Sequence, residues 1–258
     1  ASGISPSLEG EEMGVNLPGF KKGDRTDIEL PAVQRELIDA LHRAGKKIIL
    51  VNCSGSPIGL EPETQKCEAI LQAWYPGQQG GKAVAEVLFG DYNPAGKLPV
   101  TFYRNVSQLP DFEDYNMTGR TYRYMQDVPL FPFGYGLSYT TFGYGKTVLD
   151  KNELTAGQSL KLTVPVTNTG KRNGEEVVQV YLRKQGDAEG PIKTLRAFKR
   201  VSIPAGKTVN VEFDLKDKEL EWWDAQSNTV RVCPGNYDIM VGGSSKEEDL
   251  QRTTIAIK

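Results

Sequence analysis

The sequence predicts two folded parts, an α/β layer over residues 1–146 and an antiparallel β-sandwich over residues 147–258. The first part alternates helical and extended patterns, which is typical of an α/β layer. The second part changes to strict alternation of apolar and polar residues, as in the run from Leu160 to Val166. The total of 258 residues also fits two domains, because a domain averages about 150 residues.

Two helices are predicted in the first part. One begins at Pro31 and ends at Gly45, since proline is favoured at the first helical position and glycine after the last. The other runs from Gly80 to Phe89 and ends at Gly90. Both show apolar residues three and four positions apart, which predicts one buried face on each helix. The predicted buried faces are Val33, Leu37, Leu41 and Ala44 on the first helix, and Ala83, Val84, Val87 and Leu88 on the second.

Short apolar runs predict the strands of the first part. Residues 48–51 suit a strand that is buried on both faces of a parallel sheet. A second short run covers residues 69–71. Residues 98–102 form a predicted edge strand, because Pro99 within them cannot donate a hydrogen bond to a neighbouring strand. Strand and helix therefore alternate, as a parallel sheet requires.

Seven extended runs predict the strands of the second part. Turn sequences separate them, and many short strands of this kind are the pattern of an antiparallel sandwich. The Cys…Trp…Cys spacing of antibody domains is absent, which favours a fibronectin type III-like sandwich. The runs cover residues 160–166, 177–182, 195–203, 209–215, 229–232, 237–241 and 254–257.

Composition excludes several functional classes. Lys and Arg total 31 and Asp and Glu total 33, so the net charge is −2, and the chain lacks the basic field that holds nucleic acid. No apolar run reaches the roughly 20 residues that cross a bilayer. The three cysteines cannot all pair with one another. The single histidine, His42, cannot build a His-rich zinc site, and it lies in a predicted helix where it is a poor base for a serine triad.

The densest group of acidic residues is Glu9, Glu11 and Glu12. Neighbouring glycine and proline residues predict a loop, and loops carry many of the reacting groups of α/β proteins. A carboxyl group that is partly desolvated beside other carboxylates has a raised pKa, as a general acid requires. A solvated acidic surface loop is the alternative interpretation.

Three further segments have both a binding and a structural interpretation, and we favour the structural one for each. The aromatic residues of segment 131–139 line a sugar site or pack between layers. The segment Trp222-Trp223-Asp224 is a carbohydrate platform, or one Trp is buried and the other covers a loop. The glycines of residues 77–81 bind phosphate or form a turn, and the Lys-Ser/Thr pair of a phosphate-binding loop is absent.

Three motifs occur in a fixed order along the chain: WYPGQQGG at 74–81, FGDYNPAGKLP at 89–99 and FPFGYGLSYT at 131–140. Together they resemble the C-terminal part of glycoside hydrolase family 3. The predicted sandwich resembles the fibronectin type III-like domain of that family, so the resemblance covers nearly the whole chain. Residues 4–11, ISPSLEGE, are most similar to the β-xylosidase and β-glucosidase branch of bacteria that degrade plant cell walls.

The resemblance implies a retaining, exo-acting β-glycosidase that hydrolyses terminal β-linked sugars of oligosaccharides. In that family the nucleophilic Asp lies on an N-terminal (β/α)8 barrel, and the acid/base Glu lies on a loop of the α/β domain. The position ahead of Gly23-Asp24-Arg25 implies Glu9 as the acid/base, with Glu11 and Glu12 as alternatives. No metal or organic cofactor is implied, because two carboxyl groups suffice for the chemistry.

The resemblance also implies what this sequence lacks. The barrel with its nucleophile is absent, as is the first part of the α/β domain, so we expect a C-terminal fragment that is inactive alone. An unpaired sheet edge would then favour self-association. Family members of this kind are usually exported, which implies a periplasmic or secreted location. The alternative hypothesis is a non-catalytic module that binds carbohydrate or a partner.

Overall fold

The computed structural model describes residues 1–4, 14–15 and 17–258. These residues divide into two compact units that do not follow the order of the sequence. The predicted domain boundary after residue 146 therefore stays a prediction. The first unit comprises Ala1–Tyr92, Val100–Gly119 and Asp127–Phe131, and the second comprises Asn93–Pro99, Arg120–Gln126 and Pro132–Lys258.

The first unit is an α/β layer. Its elements are β1 (Ser2–Gly3), β2 (Phe20–Lys21), β3 (Asp24–Arg25), α1 (Ala32–Arg43), β4 (Ile49–Cys53), α2 (Glu61–Thr64), β5 (Ala69–Gln72), α3 (Gly80–Phe89) and a 3-10 turn at Val106–Gln108. β4 pairs in parallel with both β1 and β5, giving the order β1-β4-β5. β2 and β3 form an antiparallel hairpin. The parallel pairing confirms the predicted fold class of this part.

The buried face of α1 differs from the prediction. Ile38 is only 5% exposed and belongs to the apolar core of the unit. Gln34 and Arg35 lie close to it and bond to Gly3 and Glu63. These polar contacts, rather than the apolar stripe, determine which side of the helix faces the sheet. The predicted stripe of Val33, Leu37, Leu41 and Ala44 is exposed, with Val33 at 71%.

The second predicted helix has the bounds expected from the sequence. α3 covers Gly80–Phe89, and Gly90 follows it with a φ of 82°, the left-handed conformation of a glycine cap. Val84 and Val87 are half-buried as predicted, whereas Ala83 and Leu88 are exposed.

The predicted burial of β4 on both faces is wrong. Leu50 is buried in the core, but its neighbour Ile49 is 53% exposed. Successive side chains of a strand point to opposite faces. The core of the first unit therefore covers the face of β4 that carries Leu50, and Ile49 lies on the other face.

The predicted edge strand at residues 98–102 is also wrong. Those residues are all described, and Phe102 makes only an isolated bridge with Phe131. Leu98 instead accepts a hydrogen bond from Gly134 at 2.7 Å and donates one to Tyr135 at 2.8 Å. A continuous ladder of hydrogen bonds from Leu98 to Phe102 would need a backbone N–H group at Pro99, and proline has none.

The second unit is built on a β-sandwich. Its elements are α4 (Thr121–Tyr124), β6 (Phe142–Tyr144), β7 (Val148–Leu149), β8 (Glu153–Leu154), β9 (Leu160–Asn168), β10 (Gly174–Lys184), β11 (Thr194–Ile203), β12 (Thr208–Leu215), α5 (Asp217–Leu220), β13 (Trp222–Asp224), β14 (Thr229–Arg231), β15 (Gly235–Gly242), a 3-10 turn at Glu247–Asp249 and β16 (Gln251–Ile257). One sheet has the order β11-β10-β15-β16-β8, and the other has β12-β9-β6 with β7 also beside β9. All the extended runs predicted for this part are strands.

The core of the sandwich comes from the alternating residues of its strands, such as Leu160, Leu162 and Val164. The structural interpretation holds for Trp222, which is buried and packs edge-on against Tyr237. Trp223 is 53% exposed on the β13–β14 hairpin, and its covering of a loop stays a prediction. The three cysteines are free thiols, as expected.

A buried polar network holds residues 132–140 in the second unit. Gln179 is buried, and its Nε2 donates to the carbonyl oxygens of Gly134 at 3.1 Å and Gly243 at 2.5 Å. Its Oε1 accepts a hydrogen bond from the Tyr181 hydroxyl at 2.5 Å. Gly134 has a φ of 78°, and a Cβ atom there would collide with Gln179 Oε1. Glycine is therefore required at this turn.

The motif at residues 93–99 is held in the same unit by similar contacts. Asn93 Oδ1 accepts hydrogen bonds from the Ser138 hydroxyl at 2.8 Å and from the Tyr139 N–H at 2.7 Å. Lys97 pairs with the buried Glu176 at 3.0 Å. The Asn93 bonds join segments 93–99 and 132–140 to each other, while the Lys97–Glu176 pair and the Gln179–Gly134 bond tie them to β10 of the sandwich.

Gly134→Ala is expected to destabilise the chain more than Gly186→Ala does. The two glycines have φ values of 78° and 76°, so both alanines bear the same left-handed strain of about 1–2 kcal/mol. At Gly186 the added carbon meets no described atom within 4 Å, whereas at Gly134 it meets Gln179. Overpacking of this kind adds about 1–3 kcal/mol. Urea unfolding measures the difference, and equal losses would show that Gln179 moves aside freely.

Candidate active site

The carboxyl ends of β1, β4 and β5 lie together at one edge of the parallel sheet of the first unit. Ligands of open α/β sheets usually bind outside this edge. β1 leads through Ile4 into residues 5–13, called here the acidic segment. The chain after β4 carries Ser54, and the chain after β5 carries Trp74 and Tyr75. Reacting groups of this unit are therefore expected at this edge.

The predicted acid/base Glu9 and its alternatives Glu11 and Glu12 lie outside the described residues. Their assignment stays a prediction. The residues on either side of the acidic segment are described: Ile4 is buried, and Val15 packs against the same core. Both flanks of the segment are therefore anchored in the first unit.

Hydrogen bonds hold every backbone polar group of Gly3 and Ile4, where the chain enters the acidic segment. Gly3 N–H donates to Gln34 Oε1 at 2.9 Å, and Gln34 Nε2 donates to the Gly3 carbonyl at 2.9 Å. Ile4 N–H donates to the Cys53 carbonyl at 2.9 Å. The Tyr75 hydroxyl donates to the Ile4 carbonyl at 2.8 Å. Buried backbone groups need such partners, and here two of the partners are side chains.

Polar side chains fill the sheet edge beyond β4. Asn52 and Ser54 are buried, and Asn52 Nδ2 donates to Gln72 Oε1 at 2.6 Å. Gln72 Nε2 donates to the Ser54 hydroxyl at 3.2 Å, and that hydroxyl donates to the Ser56 carbonyl at 2.8 Å. A bonded network of this kind orders the loop that follows β4.

Arg35 joins two acidic residues beneath the site. Its guanidinium contacts Glu29 Oε2 at 2.6 Å and Glu63 Oε1 at 2.9 Å, and it donates to the Gly59 carbonyl at 2.8 Å. Glu63 is 0% exposed, so its charge depends on this partner. Burial alone would lower the pKa of Arg35, but the hydrogen bonds and charges of Glu63 and Glu29 outweigh it and raise that pKa.

The sequence Gly23-Asp24-Arg25 forms the second half of the β2–β3 hairpin, which follows the acidic segment along the chain. Lys22 and Gly23 both have positive φ values, 53° and 84°, which is the pattern of a type I′ turn between two strands. Arg25 Nη2 donates to the Glu29 carbonyl at 2.9 Å. The hairpin is thus tied to the residue that pairs with Arg35.

The described residues, 1–4, 14–15 and 17–258, contain no group of three or more His, Cys, Asp or Glu side chains suited to hold a metal ion. His42 is exposed on α1, while the Ser54 hydroxyl is bonded to amides and a carbonyl. This part of the chain therefore builds no serine triad. None of its helices has the length and apolar character that a membrane span requires.

Residues 1–139, more than half of the chain, match the family model of the glycosyl hydrolase family 3 C-terminal domain. The chain belongs to glycosyl hydrolase family 3. Residues 176–245 match the fibronectin type III-like domain. Both matches confirm the family and the fold expected from the sequence motifs.

The family 3 chain is similar to enzymes that act on β-linked sugars. It is 59% identical over 255 residues to a xylan 1,4-beta-xylosidase of Xylanibacter ruminicola, covering 99% of this chain and 29% of that protein. It is 38% identical to a periplasmic beta-glucosidase of Salmonella typhimurium, covering 93% and 32%. The solved β-glucosidase EmGH1 of Erythrobacter marinus matches with a TM-score of 0.80 and 42% identity, covering 92% and 31%. The chain thus spans about a third of the length of these relatives.

Sequence reasoning missed Gln34 and Tyr75 as residues of this site. Tyr75 belongs to the WYPG motif, but nothing in the motif shows that its hydroxyl reaches Ile4. Gln34 lies beside the apolar stripe of α1, and a polar residue at such a position is normally predicted to face solvent. In both cases the missing signal is a contact between residues far apart in the sequence.

Arg35→Met is expected to lower the free energy of unfolding by about 3–5 kcal/mol, because it leaves the buried Glu63 carboxylate without its partner. Urea unfolding at neutral pH measures this loss. The control is the double variant Arg35→Met/Glu63→Gln, which removes the buried charge as well and should recover part of the stability. A loss below about 1 kcal/mol in the single variant would show that water reaches Glu63.

Proposed function

We propose that this chain is the C-terminal part of a retaining, exo-acting β-glycosidase. The enzyme is a β-xylosidase or β-glucosidase that removes terminal β-linked sugars from oligosaccharides of plant cell walls. The observation that carries the proposal is the 59% identity to a xylan 1,4-beta-xylosidase over 99% of this chain.

The proposed mechanism divides the catalytic groups between two parts of a longer protein. Retention requires two carboxyl groups about 5–5.5 Å apart. Glu9 supplies the general acid/base, and an N-terminal (β/α)8 barrel supplies the nucleophilic Asp. Glu9 first protonates the leaving oxygen, and it then takes a proton from the water that attacks the glycosyl-enzyme. Without the barrel, this chain has no nucleophile and is inactive.

The geometry of the first unit supports an acid/base in the acidic segment. β1 ends at the carboxyl edge of the parallel sheet, which is the usual ligand side, and the acidic segment follows Ile4 in the sequence. Ile4 and Val15 anchor its two ends in the core. A general acid must stay within hydrogen-bond reach of the leaving oxygen, and fixed ends favour that.

Location and assembly follow from the same proposal. The enzyme acts in the periplasm or outside the cell, and the name of the Salmonella typhimurium relative supports this. β1 and β5 are the two edge strands of the described sheet, and the preceding part of the α/β domain pairs beside β1. In isolation that edge is open, which favours self-association of the chain.

One observation favours the alternative of a non-catalytic module that binds carbohydrate. Trp223 is 53% exposed and lies directly opposite Val230, which is also exposed, on the β13–β14 hairpin. An exposed indole presents an apolar face of the kind that packs on sugar rings. Activity measurements separate the two functions, because this alternative requires no acid/base in the acidic segment.

In the full-length enzyme, Glu9→Ala is expected to lower kcat/KM at least about 100-fold on substrates with poor leaving groups, since general acid catalysis contributes about 10²–10⁴-fold. Dinitrophenyl glycosides should lose far less, because their leaving group departs without a proton. Azide should restore turnover of the glycosyl-enzyme by replacing the water that needs a base.

The matched controls are Glu11→Ala and Glu12→Ala, which should behave like the unmodified enzyme. If either shows the azide-rescued phenotype instead, the acid/base is that residue and not Glu9. The 258-residue chain alone is the second control. Measurable hydrolysis of aryl β-xylosides or β-glucosides by it would contradict the proposed division of the catalytic groups.

A further inference from the structure

Two unusual backbone conformations and one close approach of a ring to a glycine lie where β1 ends. Gly3 has a φ of 139°, and a Cβ atom there would overlap the Cys53 carbonyl. Trp74 has a φ of 56°, a left-handed conformation that is unfavourable for a bulky residue. A Cβ atom at Gly55 would lie 2.8 Å from the Tyr75 ring. Such departures from local preference persist where the surrounding structure requires them, and they cluster at functional sites.

All three features serve the contacts of Gly3 and Ile4. The turn at Trp74 immediately precedes Tyr75, and Gly55 leaves room for the Tyr75 ring. The hydroxyl of that ring then reaches the Ile4 carbonyl, 71 positions away in the sequence, at 2.8 Å. The conformation of Gly3 lets the chain pass close to β4.

The bond to the Ile4 carbonyl adds nothing to the pairing of the sheet. Ile4 N–H already donates to Cys53, and the Ile4 side chain is buried in the core. The Tyr75 hydroxyl instead fixes the direction of the Ile4 carbonyl, the last described group before the acidic segment. Gln34 fixes the preceding residue in the same way, because its amide bonds both the N–H and the carbonyl of Gly3.

We propose that Gln34 and Tyr75 are positioning residues that fix the direction in which the acidic segment leaves β1. The inference rests on the proposed function, since it takes a carboxylate of this segment as the acid/base. A change of peptide plane at Ile4 displaces everything that follows it. A misplacement of about 1 Å is enough to cost about 100-fold in a reaction that depends on aligned groups.

The kinetic test uses Tyr75→Phe in the full-length enzyme, which removes the hydroxyl and keeps the ring. We expect kcat/KM on an unactivated disaccharide to fall about tenfold, because the acid no longer meets the leaving oxygen. On the dinitrophenyl glycoside of the same sugar we expect a change of less than about twofold, because that leaving group needs no proton. Equal losses on both substrates would reduce Tyr75 to a structural role and overturn the proposal.

Two further variants sharpen this test. Gln34→Glu keeps an acceptor for the Gly3 N–H but loses the donor to the Gly3 carbonyl, so it should show the same dependence on the leaving group. Tyr115→Phe is the matched control, since Tyr115 lies in the same unit and is 89% exposed. It should change neither rate.

A second measurement on the 258-residue chain needs no activity. A glutamate-specific protease cleaves after Glu9, Glu11 and Glu12, and we expect Tyr75→Phe to speed this cleavage at least about threefold over Tyr115→Phe, because the segment loses its fixed start. Equal cleavage rates would overturn the proposal. If Glu9, Glu11 and Glu12 variants of the full-length enzyme all lack the leaving-group effect, the proposed function fails, and the cleavage rates still decide whether Tyr75 holds the segment.

Discussion

The candidate site depends on the hydrogen bond between the Tyr75 hydroxyl and the Ile4 carbonyl. This bond joins the chain after β5 to the point where β1 enters the acidic segment. β1 has only two residues, Ser2–Gly3, so its pairing with β4 attaches it to the sheet by few backbone hydrogen bonds. The side chains of Gln34 and Tyr75 supply the remaining bonds. A short edge strand thereby becomes a fixed support for the segment that follows.

The same requirement, that buried polar groups find partners, shapes the second unit. Gln179 bonds the carbonyls of Gly134 and Gly243, and Lys97 pairs with Glu176. Parts of two motifs that carry the resemblance to family 3 are fixed by these contacts, residues 93–99 of the motif at 89–99 and residues 132–140 of the motif at 131–140. These residues therefore hold the two segments in the sandwich unit, while the packing of the aromatic rings of 131–139 between layers stays a prediction.

The sequence predicts this fold well where the apolar residues follow a single regular spacing. The strands of the sandwich alternate strictly, because one face of each packs in the core, and every predicted run is a strand. The buried face of α1 escaped prediction, since it is set by polar contacts of Gln34 and Arg35 that periodicity does not show. The choice of Glu9 as the acid/base within its acidic group came only from the resemblance, and it stays a prediction. Gln34 and Tyr75 were missed, because their partners lie 31 and 71 positions away.

Amide hydrogen exchange at Gly3 and Ile4 in the 258-residue chain tests the central claim most directly. Chain ends ordinarily fray and exchange quickly. Here both amides donate to acceptors in the sheet edge and α1, at 2.9 Å each. We therefore predict protection of both amides comparable to that of Leu50 in β4, and faster exchange of the Ile4 amide once Tyr75→Phe removes the hydroxyl that bonds the Ile4 carbonyl. Equal exchange in the two chains would contradict this prediction. Exchange at the rate of an unstructured peptide would contradict it, because the acidic segment would then have no fixed start.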